Sequence, residues 1–499
     1  MSSKIIAKRG PRALTLTLAL SCLGCGLTGG GKGSQGSGTS EFAPPVPTTF
    51  QLSNGIEVWH FPSTGVPLVQ LGLYLRHAGS AADPQGQAGL ASLAFSMLDE
   101  GAGDRGALDL ADEIDFLGAD LAISTDRDHG AIELEVLERN FDAGLDLFAD
   151  VIQRPRFEAQ EWDRIKTLAL NGLTQRRDQP TLVARLVADR LFYGDGHPYA
   201  APLDGFEGTV GSIELEDVKR FYAERVGPKQ AVFVCVGDVT ADDLRLKLDA
   251  RFRNWAAPGA PASRQDAKPA PSTTESVRLV IVDKPDAPQT VLRVQMPGPS
   301  LFVPQRAPLV LANTAFGGMF TSRLSENLRK KNAFTYGAGS ALAPRFEASY
   351  LVAQSSVYTT KTVPALVELC KEFRAMGSGD GLRPEEFKKA RATHRIRVMK
   401  ALETQQGMLG YLASSAAGNQ EADERRQAYE RIRAQTPESI ARECARVFQW
   451  DQALVVLVGD EKAIRTQLAE YAASGNSSDC AFPQPIVVDA DGIPVAPGN

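Results

Sequence analysis

The sequence predicts an α+β fold of two homologous repeats, each a mixed β-sheet packed with helices, joined by a Pro-rich linker. Three observations predict it. One run of elements occurs once in each half: a helix, an apolar strand, a Gly-Asp turn and a second helix. A Pro/Ala/Ser-rich stretch at 256–274, with Pro258, Pro261, Pro269 and Pro271, lies between the halves and has linker chemistry. The chain also has 499 residues, more than one ordinary core needs.

The elements of the repeat are legible in order. In the first half Leu215, Val218, Phe221 and Tyr222 mark a helix stopped by Gly227-Pro228. The run 231–238 is a buried strand ending at a Gly-Asp turn, and Thr240 is placed to cap a helix carrying Leu244, Leu248 and Phe252. In the second half Thr436-Pro437-Glu438-Ser439 is a helix start with Pro at the first helical position. Ile440, Cys444, Val447 and Phe448 follow on one face. The run 453–460 repeats the strand and turn, and Ile464, Leu468 and Tyr471 mark the last helix. Further strands are expected at 55–60, 68–76 and 131–136, the last with one wet face because it alternates. Helices are expected near 89–99, 107–117, 138–153, 158–177 and 181–191. The domains are therefore placed at 47–255 and 275–475, with 476–499 as a disordered tail.

The N-terminus reads as processing chemistry. Lys4, Lys8, Arg9 and Arg12 precede a short apolar run at 13–20, too short to span a bilayer. Leu18-Ala19-Leu20-Ser21-Cys22 resembles a bacterial lipobox with Cys22 as the lipidated residue; an ordinary cleaved signal peptide is the alternative. The Gly/Ser-rich segment after it, within the 23–46 tether, cannot bury a core. An exported, periplasmic protein held by lipid to the outer membrane is the expectation. Net charge is -6 with no basic stripe, which gives no electrostatic reason for nucleic-acid binding. Cys235, Cys370, Cys444 and Cys480 fit no zinc-ligand spacing. Export permits disulfides among them without requiring any, and Cys235 reads as a small core residue.

The helix near residue 90 carries the most specific signal. It reads Gly89-Leu90-Ala91-Ser92-Leu93-Ala94-Phe95-Ser96-Met97-Leu98, behind Arg76-His77-Ala78-Gly79-Ser80. This frame resembles the pitrilysin/insulinase family of inverted zincins, in which the segment holds an HxxEH motif. In such a motif two imidazoles hold Zn²⁺ and the Glu deprotonates water. Here the resemblance puts Ser92 and Ser96 at the His positions and Phe95 at the Glu position. Asp178-Gln179-Pro180 matches the turn that follows the family's third ligand, and counting back gives Gly172 there. Two hydroxyls, a phenyl ring and a hydrogen atom supply neither ligands nor a base, so no metal and no catalytic residue is expected in this chain. For Ser92, Phe95 and Ser96 a buried helix face is expected instead. The five histidines form no helical pair, and His197-Pro198-Tyr199 matches a family turn read as structural.

A second stretch matches the family's substrate side. In 321–336 a helix runs to Leu328-Arg329, followed by a short loop and Tyr336. Arg329 and Tyr336 fall on a family pair that reaches towards a peptide held at the zinc. A guanidinium and a phenol suit a peptide carbonyl and its developing oxyanion. The segment 118–125 resembles an edge strand to which a peptide can add. The resemblance spans about residues 47 to 471. It implies one half of a clamshell: a non-catalytic, substrate-binding subunit, inactive alone, whose HxxEH-bearing paralogous partner carries the zinc over an extended peptide. An envelope scaffold on the same fold is the rival reading. An independent metallopeptidase with unusual ligands is a third.

Overall fold

The computed structural model describes residues 42–256, 278–475 and 480–495. The described residues from 43 onward belong to one compact unit. The linker expected at 256–274 lies almost wholly outside the described residues, as do Cys22, the signal segment and most of the tether.

Two six-stranded sheets organise the molecule. The first contains β1 (Thr48–Gln51), β2 (Glu57–Pro62), β3 (Leu68–Arg76), β4 (Asp120–Thr125), β5 (His129–Leu137) and β6 (Ala231–Gly237) in the order β1-β2-β6-β3-β5-β4. The second contains β7 (Arg278–Asp283), β8 (Gln289–Pro297), β9 (Thr335–Leu342), β10 (Tyr350–Tyr358), β11 (Leu454–Gly459) and β12 (Ile486–Val488) in the order β12-β7-β11-β8-β10-β9. The two orders superimpose strand for strand, apart from the outermost pair. In each half the strand before the Gly-Asp turn pairs parallel on one side and antiparallel on the other, as β2-β6-β3 and β7-β11-β8. The sheets are mixed and the repeat is a true duplication of fold.

Helices of the first half are α1 (Leu90–Ser96), α2 (Ala107–Leu117), α3 (Phe141–Gln153), α4 (Ala159–Arg176), α5 (Pro180–Tyr193), α6 (Glu207–Ser212), α7 (Leu215–Arg225) and α8 (Ala241–Phe252). Those of the second are α9 (Arg306–Asn313), α10 (Thr362–Gly377), α11 (Pro384–Ala401), α12 (Gln405–Ala417), α13 (Glu424–Arg433), α14 (Pro437–Val447) and α15 (Glu461–Ala473). Local chemistry sets their starts. The Thr240 side chain accepts the Asp243 N–H at the head of α8, and Thr436 accepts the Ser439 N–H at the head of α14. Each such cap is worth about 1 kcal/mol. Pro180 opens α5 with Gln179 as its cap, which is the turn read from Asp178-Gln179-Pro180.

The halves exchange one helix each. α5 lies against β8 and β11 of the second sheet, while α12 lies against β3 and β6 of the first. Around α5 a shared core gathers Val183, Val187, Phe192 and Tyr193 with Val280, Val291, Leu454 and Val456. Buried polar groups pin this junction. Asp189 on α5 sits 3.4 Å from Arg127 and 4.0 Å from Arg293, with all three side chains at most 6% exposed. The Tyr199 hydroxyl donates to Asp128, which also accepts the Phe346 N–H at 3.3 Å. His197 stacks on Tyr193 at 4.6 Å and accepts the Tyr199 N–H through Nδ1 at 3.0 Å. The His-Pro-Tyr turn, read from the sequence as structural, thus packs at the junction.

One expectation changes. The tail expected to be disordered is in part a strand: β12 adds parallel to β7, and Val488 is buried in the shared core. Arg190 donates to the Asp491 carbonyl at 2.7 Å. Three residues give too short a run for periodicity to reveal a strand, but β-branched Ile486, Val487 and Val488 suit a sheet edge. Cys480 in the same tail forms a disulfide with Cys370 on α10, a pairing the spacing left open. Cys235 and Cys444 are free and buried. Burial pushes both thiols up, Cys444 to about 12, so they are inert core groups.

Candidate functional site

α1 is a short helix whose N-terminus is held from outside. The Asp83 carboxylate accepts the Gly89 and Ala91 N–H groups at 2.8 Å each, satisfying two donors that the helix leaves unpaired. Burial pushes this carboxyl up to about 7 against those hydrogen bonds and the nearby Arg127 and Arg225. Gly89 adopts φ 99°, where a side chain is strained, and a Cβ there would lie 3.0 Å from the Asp204 carbonyl.

The four positions at which the resemblance expects zinc chemistry are spread over α1 and α4, which pack on each other. Phe95 is 2% exposed and its ring lies directly over Gly130 of β5, leaving no room for a Cβ at 130. Ser92 is half-buried and Ser96 exposed, its hydroxyl donating to the Ser92 carbonyl at 2.8 Å. The buried face expected for all three therefore holds for Phe95 alone. The two serines are one turn apart on the outward side, because spacing of i and i+4 places them together while Phe95 turns toward the sheet. Gly172 on α4 is exposed, and a Cβ there would touch nothing within 4 Å.

This set does not fit a zinc ion. A neutral hydroxyl already bonded to its own backbone, a glycine and a phenyl ring packed on β5 provide no anionic or imidazole donor. No group of three or more His, Cys, Asp or Glu is poised for a metal among the described residues. The histidines are placed elsewhere. His60 Nε2 is 2.9 Å from the Val239 carbonyl and burial lowers its pKa. His77 is exposed at a strand end with φ 59°. His129 Nδ1 lies 3.1 Å from Asp126.

Arg329 and Tyr336 lie at one corner of the second half. Arg329 belongs to a helical segment, Ser325–Lys331, that ends in a wide turn in which Asn332 N–H donates to the Asn327 carbonyl at 3.1 Å. Tyr336 is the second residue of β9, the edge strand on which that segment packs. Gly317 makes the close approach possible: a Cβ there would collide with the backbone nitrogen and hydroxyl of Ser340 in β9. Arg323 ties the segment to α11 through Glu386 at 2.6 and 2.8 Å. Burial opposes the Glu386 charge, but hydrogen bonds from Arg323 and Arg383 overcome it and hold the carboxyl down at about 2. Asn327 donates to Glu368 and Glu372 at 3.0 and 2.7 Å, joining the segment to α10.

At the corner itself the side chains meet solvent. The Arg329 guanidinium lies over the Phe320 ring at 3.9 Å, and Phe320 is 71% exposed. Tyr336 is 79% exposed, and its hydroxyl accepts a hydrogen bond from Tyr358 at 3.2 Å. That bond raises the pKa of Tyr358. Arg329 therefore contacts Phe320, and Tyr336 contacts Tyr358. The sequence reading missed Phe320 and Tyr358, for neither stands at a spacing that marks it before the chain folds. Large aromatic groups left in water beside a cation form a surface suited to an extended chain with carbonyl acceptors. β4, an edge strand of the first sheet, alternates exposed with half-buried residues and has one side without a strand partner.

Comparison with known proteins agrees with this architecture. Residues 63–193 match the Insulinase (Peptidase family M16) family and residues 212–393 match the Peptidase M16 inactive domain family. An uncharacterized zinc protease of Mycobacterium leprae is 26% identical over 332 residues, covering 66% of this chain and 73% of that protein. The Helicobacter pylori protein named non-peptidase homolog YmxG is 25% identical over 317 residues, covering 62% and 71%. Alignments with other mycobacterial proteins described as uncharacterized zinc proteases span only 58% of their length. A Pseudomonas fluorescens structure described as a peptidase M16 inactive domain shares the fold at a TM-score of 0.77 and 23% identity, over 83% of this chain and 98% of that one. The chain belongs to the insulinase (M16) peptidase family.

Proposed function

We propose that this chain is the substrate-gripping, non-catalytic subunit of a two-subunit zinc peptidase. The partner is an HxxEH-bearing paralogue that supplies zinc and general base. This chain supplies Arg329 and Tyr336, which orient an extended or unfolded peptide through its carbonyls and support charge on the oxyanion. The observation that carries the reading is the contrast between the two sites. The expected metal positions are a packed phenyl ring, two hydroxyls and an open glycine, while the Arg329–Tyr336 corner is braced, with Arg329 half-buried and Tyr336 and Phe320 exposed. The name of the Helicobacter pylori relative, a non-peptidase homolog, supports a non-catalytic role.

Export with a lipid anchor at Cys22 is part of the proposal. The Cys370–Cys480 disulfide supports it, since such bonds persist in oxidising compartments such as the periplasm. Among the described residues no helix is long and apolar enough to cross a membrane.

Reconstitution with an HxxEH-bearing paralogue tests the proposal. Arg329→Ala and Tyr336→Phe should each lower kcat/KM for peptide hydrolysis by about tenfold or more, with assembly of the pair unchanged. Full activity of both variants in an assembled pair would instead make the chain a scaffold.

A further inference from the structure

We propose that a cavity in the second half binds a small carboxylate whose apolar body is about the size of one aromatic ring. The cavity has a volume of about 180 Å³ and lies among α9, α11, α12 and α13. It shares no residue with the Arg329–Tyr336 corner, and nothing in the proposed peptidase role requires it.

Leu301, Val303, Val310, Val398 and Ile432 give the cavity an apolar lining. His394, Arg306 and Arg425 line it as well, and no Asp or Glu does. Two of its polar atoms are buried without a partner: Nε2 of His394 and Nε of Arg425. Leaving such an atom unpaired costs about 1–3 kcal/mol. The Arg425 guanidinium lies 4.2 Å above the Tyr411 ring, which favours a cation without neutralising it. Arg306 donates only to neutral acceptors, the carbonyls of Pro299, Ala343 and Leu342, at 2.9–3.0 Å. Arg431 at the rim is already paired with Glu424.

The cavity therefore holds two guanidinium charges and an imidazole nitrogen with no counter-charge facing them. Burial lowers Arg306 to about 10. Burial, with Arg397 and Arg425 nearby, lowers His394 to about 4, so its ring is neutral at neutral pH. A carboxylate completes this arrangement: it matches the Arg425 guanidinium and accepts from the His394 imidazole in its Nε2–H tautomer. The apolar wall sets the rest of the ligand. An apolar cavity of about 150 Å³ accommodates benzene, so this one accommodates a single ring or a short branched chain. An inorganic anion would leave the apolar wall wet, and a neutral apolar body would leave both donors unsatisfied.

Calorimetric titration of phenylacetate into the full chain, beside its neutral analogue phenylacetamide, tests the proposal. Phenylacetate should bind saturably at one site, and phenylacetamide at least tenfold more weakly. Arg425→Met should weaken phenylacetate at least tenfold. Val303→Trp should block binding with the charges intact; Val303 is 37% exposed at the mouth, so this variant remains informative even if Arg425→Met does not fold. Absence of saturable phenylacetate binding, equal binding of acid and amide, or binding that survives Val303→Trp would each overturn it.

Discussion

Phe95 occupies the space that Gly130 leaves by having no side chain, and this exchange fixes what α1 can do. A carboxylate placed there would be buried without a partner instead of meeting water. Phe95→Glu should therefore destabilise the protein by about 3 kcal/mol and give no hydrolytic activity, because burial pushes the new carboxyl up and holds it protonated. A denaturant midpoint unchanged from wild type would contradict this. The sequence displayed all four residue types at the motif, yet not which of them face solvent. Seven helical residues give barely two turns, too few for periodicity to separate the outward serines from the inward ring. Glu386 carries a second residue-scale consequence. Its carboxyl is held near 2, below the usual value of about 4.5. A depressed pKa adds stability that is present above about pH 4.5 and is lost as pH falls toward 2. With its side chain 13% exposed, the contribution is about 2–3 kcal/mol. Wild type and Glu386→Gln should differ by that amount at pH 6 and converge near pH 2 in equilibrium unfolding; a constant gap would rule out the ion pair as its source.

Elements with a capping residue or a repeated apolar run were legible, whereas β7, β8 and β10 went unread despite their apolar residues. α8 and α14 start at the threonines that the sequence offers as caps, and α5 starts at its proline. β3, β6 and β11 are apolar runs that read as strands. β9 was missed: Gly337, Ala338 and Gly339 have weak strand preference, and its course is fixed by pairing with β10 and by the close approach of Gly317. β12 was missed for a related reason, since three residues become a strand only beside β7. The Cys370–Cys480 bond anchors the same tail to α10, closing a sequence separation of 110 residues. Cys480→Ala should lower stability by about 2–4 kcal/mol and raise amide exchange across 480–495. Unaltered exchange there would show that β12 holds the tail without the bond.

At the scale of the molecule, the duplicated sheets and the exchanged helices α5 and α12 make two repeats into one body. The repeat plan was visible because both halves spell the same strand and Gly-Asp turn. The exchange was not visible, because a buried helix carries no mark of which sheet will cover it. Asp189 shows how firmly the junction is specified: its loss would strand Arg127 and Arg293 as buried cations, a change that typically costs about 3–5 kcal/mol. In the proposed pair this chain would present the Arg329–Tyr336 corner to the partner subunit, while the expected motif positions on its own α1 and α4 offer no zinc ligand. Metal content of the purified, unpartnered chain, measured together with hydrolysis of a test peptide before and after chelation, probes that claim most directly. The account predicts zinc far below one atom per chain and no chelator-sensitive cleavage. One tightly bound zinc per chain with cleavage abolished by chelator would contradict it.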